Sequence, residues 1–145
     1  MSTLLPLTEL PLTELQAATL RAAVDRIIPA DEAPGGWDSG VGDYFAHLLT
    51  REPPFLFPTQ QGLDALDAEA RATEGAPFAA LGRDAQDGLL RRVESGDVRT
   101  AWPLSAAGFF RRLVSQAMEG CYADPGNGGN RDGVAWKMIG FRVTA

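Results

Sequence analysis

Apolar residues recur at three- and four-residue spacing along most of this chain, the period that places them on one side of a helix. Leu20, Val24, Ile27 and Ile28 form the first such run, and Pro29 closes it. Thr13 and Gln16 stand just before it in capping-box spacing, where hydroxyl and amide satisfy free amides of the first turn. A helix is therefore expected over Glu14–Ile28. Ala30–Gly40 has turn composition, with Trp37 as its one large apolar residue. Asp38 or Ser39 is then positioned to cap a second helix reaching about Thr50, with Tyr44, Phe45, Leu48 and Leu49 inward.

The segment EPPFLFP carries three prolines in six residues from Pro53 to Pro58 and reads as non-helical, leaving Phe55 and Phe57 on an extended loop. Thr59 is the expected cap of a third helix over Gln60–Glu74, carrying Leu63, Leu66 and Ala70. A fourth helix starts near Phe78 and Leu81, is re-capped at Asp84 and runs through Leu89, Leu90 and Val93 to Gly96. Ser105 opens a fifth over Ala106–Glu119, with Phe109, Phe110, Leu113, Val114 and Ala117 inward. No stretch reads as a strand. The fold class is all-α: a small single domain of about five helices with an irregular Gly/Asn-rich C-terminal tail. Residues 1–12 form an extended arm, 13–120 the helical core and 121–145 the tail. The tandem PLTEL of Pro6–Leu10 and Pro11–Leu15 is too short to be a repeat unit.

At 145 residues with 45% hydrophobic positions the chain is long enough to bury a core of its own. Its net charge of −6, with dispersed basic residues, disfavours nucleic acid and anionic membrane surfaces. The single cysteine, Cys121, rules out an internal disulfide and a cysteine-based zinc site. The first residues lack both a basic start and a long apolar run. A cytoplasmic location is expected, or a periplasmic one if a leader was removed or a partner carries the signal.

Candidate chemistry is sparse. His47 is the one histidine, and only Cys121 offers it a nucleophile. The first helix presents Asp25, followed by Asp31 and Glu32, and the third presents Asp64, Asp67 and Glu69; Asp64 and Asp67, three apart on one helix, read as a solvated face. Acid–base catalysis would require two of them to converge in a cleft. Asp124, Asn127, Asn130 and Asp132 resemble oxygen ligands but depart from EF-hand spacing. Gly126, Gly128 and Gly129 follow a helix instead of feeding one, unlike a phosphate loop. No catalytic, cofactor or metal residues are assigned. The tail then offers Trp136, Met138, Ile139 and Phe141 beside a backbone-rich loop, and two fates are open to it: folding back on its own helices or inserting into another protein.

Tyr122, Asp124, Pro125, Gly128, Gly129, Asn130, Trp136, Ile139, Gly140 and Phe141 occur in an order and spacing that resemble the C-terminal signature of the gluconate 2-dehydrogenase subunit 3 family. Ala22–Asp31, Pro34-Gly35, Gly62-Leu63, Phe78 and Phe109-Phe110 are similar to the rest of the family pattern. Three departures fall in the tail: Asn127 replaces a tyrosine, Ala135 a glycine, and Arg142-Val143 a closing Pro-Gly. The resemblance implies a non-catalytic small subunit that binds and stabilises or matures a large flavoprotein dehydrogenase of the glucose-methanol-choline type. FAD would sit in that partner, which oxidises a sugar, glycoside or polyol and in some systems hands electrons to a cytochrome c. Tyr122, Asp124, Pro125, Asn127, Gly128, Gly129, Asn130, Trp136, Ile139 and Phe141, with Phe55 and Phe57, would form the partner-binding set. The alternatives are a free-standing helical interaction or chaperone module, and a small enzyme using its helix carboxylates.

Overall fold

The computed structural model describes residues 10–28, 37 and 40–122, and among them the protein is five α-helices with one short 3-10 turn and no strand. Helix α1 spans Glu14–Ile27. Its capping box is complete: the Gln16 N–H donates to Thr13 Oγ1 at 3.1 Å and the Thr13 N–H to Gln16 Oε1 at 3.0 Å. One face of α1, through Leu20, Ala23, Val24 and Ile27, is buried. Helix α2 spans Val41–Arg51 and is entered through Gly40 at φ 103°, without a side-chain cap. That left-handed entry, natural for glycine, does the work expected of Asp38 or Ser39; those two residues lie outside the described ones.

Helix α3, Pro53–Glu74, corrects the sequence expectation most sharply. EPPFLFP is no extended loop; it is the beginning of the longest helix. Pro53 and Pro54 fill the first positions, where a backbone N–H has no intrahelical partner and nothing is lost by lacking it. Only Pro58 lies inside the helix proper, forgoing a single bond to the Pro54 carbonyl. Thr59, expected as a cap, is buried mid-helix. The helix ends at Gly75, with φ 78°.

The fourth helix is likewise divided. Phe78–Ala80 make a 3-10 turn, Leu81 is extended, and α4 begins afresh over Arg83–Ser95. Gly82 is its N-cap, and Asp84 sits in the first turn, where its charge suits the helix dipole without capping. Helix α5, Ala106–Tyr122, starts as expected, with Ser105 Oγ accepting the Gly108 N–H at 3.0 Å, and continues one turn beyond Glu119.

Helix α5 packs against α4, α2, α1 and α3, and α1 lies against α3, α4 and the 3-10 turn. Phe45, Phe78, Leu20, Leu63, Leu66, Leu89 and Leu113 are the large side chains at the centre. Each such side chain contributes roughly 1.5–3 kcal/mol through removal from water. At Gly62 the Phe109 ring of α5 lies directly on the backbone of α3: a Cβ there would lie 2.2 Å from Phe109 Cδ1 and Cε1. Phe109 in turn lies beside Trp102, ring centroids 6.2 Å apart. No helix of the described residues is long and apolar enough to cross a membrane.

Gly62→Ala is therefore expected to destabilise the protein by about 1–3 kcal/mol, an overpacking cost. Phe109→Leu in the same chain should recover part of it. Thermal denaturation of the two variants checks this, and an unchanged melting temperature for Gly62→Ala would contradict the close contact.

Candidate functional site

The described carboxylates do not assemble into an acid–base pair; they act as ties between elements. Asp25 Oδ1 accepts the Trp37 backbone N–H at 3.2 Å. Asp64 is exposed on α3 and accepts from Gln16 Nε2 at 3.1 Å. Asp67 is buried, contrary to the solvated face expected for it and Asp64, and Glu69 is buried as well. Asp67 Oδ1 accepts the Phe78 N–H at 3.0 Å, while its Oδ2 pairs with Arg71 Nε at 2.7 Å. Gln86 Nε2 donates to the Phe78 carbonyl at 3.0 Å, so one buried knot joins α3, the 3-10 turn and α4. Asp31 and Glu32 lie outside the described residues.

Glu69 is the most heavily bonded side chain described. Its Oε2 accepts the Arg99 N–H at 2.8 Å, and its Oε1 accepts the Thr100 N–H at 3.0 Å, the Thr100 hydroxyl at 2.5 Å and the Trp102 indole at 3.3 Å. Arg92 of α4 stands 3.5 Å from Oε2 and also donates to Thr73 Oγ1 at 3.3 Å. Burial pushes the Glu69 pKa up, but the bonds from Thr100, Arg99 and Trp102 outweigh it and hold the carboxyl below its ordinary value. The group is thus an ionised acceptor saturated by donors. It has no free lone pair to offer a substrate, and its role is to hold the α4–α5 connection.

His47 is exposed on α2, whereas Cys121 is buried in the core, an environment that leaves a thiol inert. Tyr44 Oη donates to Glu119 Oε1 at 2.6 Å. Partial burial first, and then that carboxylate, raise the Tyr44 pKa well above the usual phenol value. An open groove of about 830 Å³ lies along α1, lined by Leu12, Ala17, Ala18, Ala22 and Ala79 together with Glu14, Arg21 and Asp25. It offers apolar contact without a nucleophile. Among the described residues no group of three or more His, Cys, Asp or Glu could hold a metal ion; the Asp124–Asp132 loop lies outside them.

Of the expected partner-binding residues, Phe55 and Phe57 are described. They are 37% and 65% exposed and, with Leu15, are the exposed large hydrophobic residues among those described. Two positions apart on a helix, they face roughly opposite sides. Tyr122 is the last residue of α5. Asp124, Pro125, Asn127, Gly128, Gly129, Asn130, Trp136, Ile139 and Phe141 lie outside the described residues. Sequence reasoning missed Glu69 as an organising residue, because two of the bonds it accepts from residues 99–102 come from backbone amides, which carry no mark in the sequence.

The helical layout and the absence of convergent catalytic groups among the described residues turn attention to family. The pattern of the family described as Gluconate 2-dehydrogenase subunit 3 matches residues 14–142. The chain belongs to this family. The match takes in all five helices and the tail signature through Phe141. Comparisons with curated proteins and with solved structures each return no match. Membership makes the chain, by the family's description, a subunit of a dehydrogenase. The organisation around Glu69 is then the internal framework of that subunit.

Because the Glu69 pKa is depressed in the folded protein, its contribution to stability is complete above the unfolded glutamate value of about 4.3 and is lost as pH falls through the folded value. Glu69→Ala is expected to cost about 3–5 kcal/mol at pH 7, since it strands Arg92 and buried donors. Glu69→Gln should flatten the acid limb of the stability profile. Urea titrations between pH 2.5 and 7 check both, and a Glu69→Gln profile parallel to that of the unaltered protein would refute the assignment.

Proposed function

We propose that this chain is the non-catalytic small subunit of a large FAD-dependent dehydrogenase of the glucose-methanol-choline type, which it binds and stabilises or matures. The observation that carries the reading is the family match over residues 14–142, which includes the aromatic and glycine-rich tail. In this reading the Tyr122–Phe141 segment anchors on the flavoprotein: Tyr122 and Trp136 bury area, and Asp124 and Asn130 fix the loop. Pro125, Asn127, Gly128, Gly129, Ile139 and Phe141 complete that anchor. Phe55 and Phe57 present further exposed aromatic surface on α3.

Two features support an accessory role over a catalytic one. The buried carboxylates of α3, Asp67 and Glu69, are committed to internal hydrogen bonds. The all-helical described residues also offer no strand-to-helix glycine turn of the kind that cradles a dinucleotide pyrophosphate. In this reading FAD and the hydride transfer from a sugar, glycoside or polyol belong to the partner, with a cytochrome c as one electron acceptor. The cytoplasm is the proposed location, with the periplasm as the alternative if a leader or the partner directs export.

Co-expression of the tagged chain with the large flavoprotein of its own genome tests the reading. A yellow complex of fixed stoichiometry with sugar-dependent dye reduction is expected in the eluate. A colourless lone small chain, with the flavoprotein folded and fully active in the flow-through, would overturn it. Trp136→Ala should lower the yield of complex at least tenfold, the loss typical of a buried aromatic anchor of about 2 kcal/mol.

A further inference from the structure

The last turn of α5, which leads into the tail, is held against α2 by Tyr44, a side chain that also packs against the edge of the core. Tyr44 is only half-buried, yet its ring is laid along α5 closely enough that a Cβ on Gly120 would lie 2.9 Å from Tyr44 Cβ, Cγ and Cδ2. These are the stem of the side chain, which cannot swing aside as a flexible tip would. On the solvent side of the same turn, the Tyr44 hydroxyl donates to Glu119 at 2.6 Å, a short charge-assisted bond. On its inner side, Cys121 is 1% exposed within the core. Residues 119, 120 and 121 are thus held from three directions around the helix axis. The Tyr44 ring is itself steadied by an edge contact with buried Phe45, centroids 6.0 Å apart.

An ordinary helix end frays within its last turn. This one is fastened there, two residues before the chain enters its glycine-rich segment. We infer that Tyr44, Glu119 and Gly120 form a positioning clamp that sets the direction in which the Tyr122–Phe141 segment leaves the helical domain, and that presentation of this segment to the dehydrogenase partner depends on the clamp. The inference rests on the reading of that segment as the anchor. Its physical basis is preorganisation: a helix end fixed in advance spares the ordering cost that a frayed one would meet on binding. Glycine at position 120 is then required by the approach of the Tyr44 ring, and the hydroxyl of Tyr44 adds what phenylalanine would lack.

The experiment uses the full chain co-expressed with the flavoprotein, and compares Tyr44→Phe, Tyr44→Ala, Glu119→Gln and a chain shortened to residues 1–122. Each variant is assayed by thermal denaturation of the isolated chain and by affinity for the purified flavoprotein. The clamp predicts that Tyr44→Phe leaves the melting temperature near that of the unaltered chain while weakening affinity about three- to tenfold, the value of one hydrogen bond. Tyr44→Ala should weaken affinity further, and Glu119→Gln, which still accepts the bond, should retain most of it. Shortening to residues 1–122 should abolish binding. If the shortened chain fails to bind but every Tyr44 variant binds as the unaltered chain does, the clamp is refuted and the anchor reading stands. If the shortened chain binds normally, the anchor reading falls and the clamp falls with it. Loss of affinity only in proportion to lost thermal stability would show a purely structural contact and also refute the clamp.

Discussion

A carboxylate taken out of water is costly unless donors replace the water it loses, and the arrangement around Glu69 shows how completely this must be done. Two successive backbone amides, a hydroxyl, an indole and a guanidinium converge on its two oxygens. Several of these donors come from the connection between α4 and α5, a segment that has no helical or sheet ladder to satisfy its backbone. The charge and the loop therefore solve each other's problem. With the loop held, Trp102 can lie against Phe109, and Phe109 can fill the space left open at Gly62. The contact between α3 and α5 depends on this chain of placements. Asp67 repeats the device two residues earlier on α3, serving the Phe78 amide and so seating the 3-10 turn that leads to α4.

The sequence was legible wherever one local rule operated without competition. Thr13 and Gln16 announced the start of α1, Ser105 announced the start of α5, and the apolar spacing of Leu63, Leu66 and Ala70 identified the inner face of α3. Proline misled, because its exclusion from helices holds for the interior and not for the first turn. Pro53 and Pro54 begin α3, and the interior Pro58 is carried by the packing of a long amphipathic helix. The cap of α2 was misplaced for a different reason: a glycine with left-handed backbone enters that helix without any side chain to mark it. Asp67 and Glu69 could not be told from surface acids by spacing, since their burial depends on donors brought from Phe78 and from residues 99–102 by the fold itself.

The functional assignment came from a different kind of information. Periodicity and composition identified an all-helical domain and eliminated several chemistries, yet they carried no statement of partner. The order and spacing of Tyr122 through Phe141 resemble a family signature, and the family match over residues 14–142 places the chain among dehydrogenase subunits. Among the described residues Asp67, Glu69 and Cys121 are buried, and what the chain shows outward at the start of α3 is aromatic.

One residue, Glu52, separates α2 from α3, and two prolines follow it at once. A joint of that length leaves almost no torsional slack, because proline fixes its own φ and restricts the residue before it. Mechanically, α2 and α3 are the two arms of a bracket. The arm formed by α3 is 22 residues long, about 33 Å at the helical rise, with Phe55 and Phe57 near the corner and Glu69 toward the far end. Tyr44 stands on the other arm. A load applied at the corner is therefore shared by both arms of the bracket instead of being absorbed by a hinge.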